Sequence, residues 1–440
     1  MTKYVKSIEC SDQPLDVSFH PKRDNLCACA LIDGTVEVHD FLAENAVDDE
    51  DEDPDTILSS MSVHTQVLSV KHNEKVTTKP ASCRAITFSP DGEIIYTGGS
   101  AGDMTAIDSS RVCTFSSNSE KNLLWNIEPA TEGEFNPLVK IYPFHNSPLI
   151  ATGDDFGGVR IWDSRLCGSG MKSKSNRPGG CVFSWKENED YISDFDLSAD
   201  GNTLLATCAD GRLSVFDLRI AREPVTGKSP FRLSDDQGDE LLSLKIIKGG
   251  NKVVCGSQEG VLSIFSWNTW GDCSDRFPGH PSSIDAILKV DEDTILTGSS
   301  DGLIRVAQIQ PDKFVGVLGN HNDFPIEKLE WNSDRSIVGS VGHDNYIRLW
   351  DAQVLLEEGL EGEESEDERT SKPVAAPVAV NTASKDDSED DWEDEDEDGD
   401  EDSEEDSDGD DSDEEEEGPS MNDRRKKRLK TENEKFFDDL

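Results

Sequence analysis

Nowhere in this 440-residue chain do 18 apolar residues run together, so the sequence offers no membrane-spanning helix. It has no Asn-x-Ser/Thr acceptor, and its start, Met1-Thr-Lys-Tyr-Val-Lys-Ser, lacks the apolar stretch of a signal peptide. Cysteines number 10, none beyond Cys273 and none in C-x-x-C spacing, which argues against a disulfide scaffold and for a reducing compartment. Cys208 and Cys255 sit in apolar runs, where cysteine behaves as a small hydrophobe. Basic residues are scarce, 42 against 93 acids, for a formal net charge of −51. From residue 352 onward there are 38 acids and 10 bases, and the part before it keeps 55 and 32. A surface this negative repels phosphate, so non-specific binding to bare duplex is a poor first expectation. A soluble intracellular protein without membrane contact is expected.

Catalytic motifs are also missing. No P-loop lysine motif, H-E-x-x-H pair or EF-hand spacing occurs before the acidic tail. Gly98-Gly99-Ser100-Ala101-Gly102 matches the G-x-S-x-G pattern of hydrolases, but that motif works only at a strand–turn–helix junction, and here it falls between two strand phrases. The eight His are scattered, and the acidic run Asp48–Asp53 lacks the central Gly of a calcium loop. The expectation is a non-enzyme with no catalytic, cofactor-binding or metal residues and no small-molecule substrate.

What the chain does have is a repeat. A small-residue strand end, a tight turn and a short alternating strand ending in an aromatic and Asp recur seven times. The best copies are Ala206–Asp217, with Asp210-Gly211 at the turn, and Thr297–Val306, with Asp301-Gly302. Two copies end in Trp-Asp, at Trp162-Asp163 and Trp350-Asp351. The turn's second residue falls at 34, 102, 157, 211, 260, 302 and 345, closing on the 40–45-residue period of four-stranded propeller blades. Asp-Gly between alternating strands predicts type I′ hairpins, with both central residues at positive φ. A second turn phrase upstream, as in Ser89-Pro-Asp-Gly92, implies at least three antiparallel strands per repeat. Radial sheets of this kind leave no long exposed edge.

Residues 1–351 thus resemble the WD-repeat propellers, which implies an all-β, seven-bladed WD-repeat β-propeller, expected as a monomer, followed by a disordered acidic tail over 352–440. Members of that group hold each blade by hydrogen bonds among a loop His, a turn Asp and a strand Trp. The resemblance assigns these roles to His321, Asp344 and Trp350 in blade seven, and to His280 and Asp301 in blade six, where Ala307 replaces Trp. Asp210 is the turn Asp of blade four; blade three has Trp162 but Phe156 in the Asp position. Tyr4–Ile8 is expected to supply the outer strand of blade seven.

Two insertions interrupt the period, an acidic loop at 44–55 and a flexible basic loop at 168–180. In the tail, 25 of the 32 residues from Asp386 to Glu417 are acidic, a composition that cannot bury a core. The tail also carries Arg424, Arg425, Lys426, Lys427, Arg428 and Lys430, the composition of a nuclear or nucleolar localisation signal. Ser388, Ser403, Ser407 and Ser412 precede acids at the next and third positions, the pattern acidophilic kinases prefer. The chain ends in Phe436-Phe437-Asp-Asp-Leu440.

Degenerate blades, acidic tract, basic cluster and terminal Phe-Phe-Asp-Asp-Leu together resemble the WD repeat-containing protein 55 family, called Jip5 in fungi. The resemblance implies a nucleolar scaffold for ribosomal RNA processing and ribosome production, with pre-ribosomal or ribosomal proteins as partners. An alternative stays open. Trp162-Asp163-Ser164-Arg165 and Phe216-Asp217-Leu218-Arg219 resemble the W-D-x-R box of substrate receptors for cullin ubiquitin ligases. In that reading, Arg165 and Arg219 would pair with carboxylates of the ligase adaptor.

Overall fold

The computed structural model describes residues 4–43, 61–69, 81–112, 122–127, 136–167, 180–222, 229–353 and 355. Among them, 28 strands form seven four-stranded antiparallel sheets. The acidic loop 44–55, nearly all of the basic loop 168–180, and the tail with its arginine–lysine cluster and four serines lie outside the described residues. No helix of the described residues is long and apolar enough to cross a membrane.

Each sheet is one blade, and in six of the seven the strands run in chain order from an inner to an outer edge. The inner strands begin at Pro14, Cys83, Leu138, Ile192, Leu241, Ile284 and Ile326. Each packs against the inner strands of the blades beside it, and the last returns to the first, so the sheets form a closed ring. Burial is highest on the middle strands of the blades and falls toward the outer strand. The second strand of blade one, Leu26–Leu31, is buried at all six positions, because neighbouring blades cover both of its faces. Its alternating Cys and Ala side chains are small enough to fit there. The outer strand of blade six, Lys313–Asn320, is mostly exposed.

The second-to-third-strand turns sit where the repeat placed them, but their geometry differs from the expected type I′. Only the glycine has positive φ, as at Gly34 (85°), Gly211 (81°) and Gly302 (80°). The preceding Asp keeps negative φ and instead accepts a backbone N–H two residues on, as Asp33 Oδ1 does from Thr35 at 2.8 Å. With Gly34 N–H donating to the Leu31 carbonyl at 3.1 Å, this is a turn closed by a left-handed glycine. A side chain at Gly34 would be strained twice, since a Cβ there would lie 2.2 Å from the Ala81 carbonyl oxygen. Gly98–Gly102 is one of these strand–turn–strand junctions, which is not the context of a hydrolase nucleophile.

All seven inner strands carry a register irregularity at the same place, between their first and third residues. Such bulges kink a strand and re-aim its side chains. The third residues are Asp16, Ala85, Lys140, Asp194, Ser243, Ala286 and Lys328, so opposite charges meet between blades. Lys140 Nζ lies 3.1 Å from Asp194, Lys245 Nζ 3.5 Å from it, and Lys328 Nζ 3.7 Å from Asp16. Burial alone would raise the Asp194 carboxyl, but Lys140 and Lys245 hold it well below the usual carboxylate range.

Ring closure follows the expectation. Tyr4–Glu9 is the outer strand of blade seven, antiparallel to Tyr346–Asp351, with Lys6 opposite Leu349 and Ile8 opposite Ile347. Ile8 is 2% exposed, so the pairing is sealed by apolar burial as well as by its ladder. Deleting residues 4–8 should expose the edge of Tyr346–Asp351, lower the melting temperature and promote aggregation. A deletion variant that melts cooperatively at the parental temperature would contradict this account of closure.

Candidate functional site

In blade seven the three expected residues meet around a fourth. Trp350 Nε1 donates to Ser340 Oγ at 2.7 Å, and Ser340 Oγ lies 2.6 Å from His321 Nε2. The indole can only donate, so Ser340 Oγ accepts there, and its own hydrogen has His321 Nε2 and the Arg348 carbonyl, at 3.4 Å, as acceptors within reach. His321 Nδ1 lies 3.3 Å from Asp344 Oδ2, and Arg348 donates to the same oxygen at 2.6 Å and 3.1 Å. Burial would raise the Asp344 carboxyl, yet His321 and Arg348 bring it below its ordinary value. Gly319 is needed here, because a Cβ would come within 2.7 Å of the Trp350 ring.

Other blades solve the same problem with other residues. In blade six, His280 Nε2 lies 2.8 Å from Thr297 Oγ1, and Asp301 is bound by Arg305 at 2.5 Å and 3.0 Å. Where Ala307 leaves the Trp volume empty, Phe314 of the outer strand sets its ring edge-on to His280, centroids 4.9 Å apart. Burial, reinforced by the Arg305 charge, pushes the His280 pKa down to about 4. Blade three corrects the sequence reading. The Asp role falls to buried Asp154, two residues before Phe156, which accepts N–H groups of Phe156 (3.1 Å) and Gly158 (2.7 Å) and the Arg160 guanidinium (2.9 Å). Trp162 Nε1 donates to Thr152 Oγ1 at 2.9 Å. Asp210 ties its own turn to the preceding loop, accepting from Arg212 N at 3.1 Å and Glu189 N at 3.0 Å.

Blade one departs furthest. Strand register puts Cys29 in the position of Ser340, His39 in that of Trp350 and Glu37 in that of Arg348. Cys10, in the loop before the blade, completes the group, as His321 does in blade seven. All four are buried, and their potential ligand atoms lie within 4.8 Å of one another. The Cys29 hydrogen bond and His39 bring the Cys10 thiol down to about 6 despite burial. Sequence reading missed this group because no linear motif joins its members. The usable signal was Cys29 and Glu37-x-His39, placed opposite each other once the Asp33-Gly34 turn sets the hairpin register.

The third strands of consecutive blades end in acid–arginine pairs at one end of the ring. Arg165 grips Asp163 with Nε at 2.9 Å and Nη2 at 2.7 Å, and Arg219 grips Asp217 at 3.2 Å and 2.9 Å. The inner edge of each guanidinium is thereby used, while the side chains stay 71% and 62% exposed. Trp162 and Phe216 are buried in their blades and do not reach that surface. A third pair that the sequence reading did not single out, Arg111 with Asp108 at 3.1 Å, precedes them in blade two. Beside Arg219, a cleft of about 470 Å³ opens between blades four and five, lined by Asp217, Phe231, Arg232, Trp267 and Trp270 among others.

A family model described as WDR55 matches residues 5–355. The chain is 35% identical over 355 residues to the WD repeat-containing protein JIP5 of Cryptococcus neoformans var. neoformans serotype D, covering 80% of this chain and 82% of that protein. It is 32% identical over 351 residues to WD repeat-containing protein 55 of Arabidopsis thaliana, covering 80% and 83%. To the protein of that name from Bos taurus it is 31% identical over 339 residues, covering 77% and 74%.

Two outcomes follow from the blade geometry. Ser340→Ala removes the hydroxyl between two buried ring nitrogens and should cost about 1–3 kcal/mol in urea-induced unfolding. His280 is held neutral in the fold, with a pKa near 4 against about 6.5 in the unfolded chain. As pH falls, the unfolded chain takes up that proton first. The stability from neutral His280 is therefore complete above about pH 6.5 and drains away toward pH 4, at up to about 1.4 kcal/mol per pH unit. The stability difference between wild type and His280→Asn should carry that slope; a pH-independent difference would show that His280 does not titrate this way.

Proposed function

The chain belongs to the WDR55 family of WD-repeat propellers, whose members are scaffolds and not enzymes, and from that premise we propose that it is a nucleolar interaction scaffold serving ribosomal RNA processing and ribosome biogenesis. The observation that carries the reading is electrostatic. A propeller chain with excess acid continues into a tract of 25 acids in 32 residues, and then into six bases within residues 424–430. Ribosomal proteins bind RNA through Lys and Arg, so a polyanion of this density engages the same basic surfaces. Phosphorylation of Ser388, Ser403, Ser407 and Ser412 would add about −1.5 to −2 charge each and strengthen that contact. The interaction is long-range and falls with salt, because exposed charges are screened beyond about 8 Å at physiological ionic strength.

Binding of basic ribosomal proteins should weaken sharply when the chain is cut to residues 1–351, and the full-length affinity should fall across a salt series. Equal affinity of the two proteins, or one flat in salt, removes the tail as the binding element. Affinity purification with and without RNase should recover pre-ribosomal proteins in both arms if the contact is protein to protein. Replacing Arg424, Arg425, Lys426, Lys427, Arg428 and Lys430 by Ala should move a fluorescent fusion out of the nucleolus without unfolding the propeller. Unchanged nucleolar fluorescence would place the address elsewhere.

A second reading, a substrate receptor of a cullin ubiquitin ligase, is favoured by one observation. Arg165 and Arg219 present their outer edges on the same end of the ring, already oriented by Asp163 and Asp217. Exposed pairs of this kind contribute little to stability. The Arg165→Ala/Arg219→Ala double variant should therefore melt like wild type and lose capture of the ligase adaptor; capture by wild type and variant alike, or by neither, rejects the reading.

A further inference from the structure

We propose that Cys10, Cys29, Glu37 and His39 form a structural zinc site that pins the seam where the ring closes. The argument begins with distances. Zinc binds Cys sulfur at about 2.3 Å, His nitrogen at about 2.0–2.1 Å and carboxylate oxygen at about 2.0–2.2 Å, in a tetrahedron. The edges of that tetrahedron are then about 3.8 Å between sulfurs, 3.6 Å from sulfur to nitrogen and 3.4 Å from nitrogen to oxygen. In the protein, Cys10 Sγ lies 3.9 Å from Cys29 Sγ, Cys29 Sγ 3.6 Å from His39 Nε2, and His39 Nε2 3.3 Å from Glu37 Oε2. Three edges agree to about a tenth of an ångström with those of the tetrahedron.

The outer atoms of the group are bonded to residues outside it, and the inner atoms face only one another. His39 Nδ1 lies 2.9 Å from Thr65 Oγ1 on the outer strand of blade one, which leaves Nε2 as the lone-pair nitrogen facing the sulfurs when Nδ1 donates. Glu37 Oε1 accepts the Ser11 N–H at 3.2 Å, whereas Glu37 Oε2 is buried without a hydrogen-bond partner. A buried carboxylate oxygen left unsatisfied is costly, and a cation at the centre of the group satisfies it. Two thiolates balance the charge of the ion, and the Ser11 N–H meets part of the remaining carboxylate charge. Two sulfurs, one imidazole and one carboxylate suit zinc and disfavour magnesium and calcium, which take oxygen shells. All four donors are buried, so the set is closed, as in structural and not catalytic sites.

Position gives the site its role. Cys10 directly follows the closing strand Tyr4–Glu9, and its backbone N–H donates to the Asn345 carbonyl of blade seven at 2.9 Å. Cys29, Glu37 and His39 belong to the second and third strands of blade one. One ion would thus join the end of the closing strand to the middle strands of blade one.

The test is zinc analysis of the full-length protein purified under a thiol-sparing reductant, with X-ray absorption at the zinc edge. Expected are about one zinc per chain and two sulfur neighbours at about 2.3 Å. Cys10→Ser and Cys29→Ser should lose that zinc, and Cys255→Ser, buried in blade five, should keep it. The acidic tail can also hold zinc, but only through oxygen. An oxygen-only shell, background zinc even after reconstitution with zinc chloride, retention by Cys29→Ser, or a Cys10–Cys29 disulfide would each overturn the proposal. If the serine variants do not fold, the sulfur count of the wild-type spectrum decides alone.

Discussion

Closure of the ring rests on the pairing of Tyr4–Glu9 with Tyr346–Asp351, which ties the two ends of the propeller together. Within a blade, strands are neighbours in sequence and are joined mostly by short turns. The closing pair is separated by nearly the whole propeller. Closing so long a loop costs about 4 kcal/mol more entropy than closing a tight hairpin, by the logarithmic dependence on length. That cost is comparable to what one buried Ile and a short ladder return. The balance is tipped by packing beyond the ladder. Ile8 shares one core cluster with Val17, Phe19, Cys29 and Leu31 of blade one and with Ile347 and Leu349 of blade seven. The strand is therefore held in its own sheet and against the next one.

Much of this was legible in the sequence, and for a local reason. A glycine at positive φ closes six of the seven hairpins, following Asp in three of them, and alternation on either side marks the strands. These signals gave the blade count and the places of the turns. The turn type was misjudged because Asp-Gly also suits a turn in which Asp stays right-handed and bonds through its side chain. The roles of Ser340, Thr152 and Thr297 were invisible because a hydroxyl in a strand is indistinguishable from any other small residue until the register is known. Asp154 was missed for a similar reason: it reaches the turn from inside its strand, displaced from the usual position. Cys10, Cys29, Glu37 and His39 come from a loop and two strands, and only the closed ring brings them together.

Blade by blade, two positions vary together. The fourth residue of the second strand is a hydroxyl where a buried ring nitrogen needs a partner, as with Thr152 under Trp162, Thr297 under His280 and Ser340 between His321 and Trp350. Where Phe216 or Phe265 replaces the indole, the same position is Ala206 or Cys255, and nothing polar is left behind. Blade one puts Cys29 beside the buried His39 ring instead of a hydroxyl, and in blade two the buried Thr97 hydroxyl lacks a hydrogen-bond partner, with Ile107 in the Trp position. Loss of the Trp and His signature is thus mostly a matched exchange of polar sets for apolar ones, which leaves the packing of the blade intact.

The charges on the bulged inner strands have an evolutionary reading. Asp194 of blade four depends on Lys140 from blade three and Lys245 from blade five, as Asp16 of blade one depends on Lys328 from blade seven. Changing one member leaves a buried charge uncompensated, so a substitution in one blade is tolerated only alongside a matching change next door. The blades share one architecture, but they are not interchangeable. A blade shuffled to another place in this ring, or duplicated into it, would carry the wrong half of an ion pair to its new neighbours.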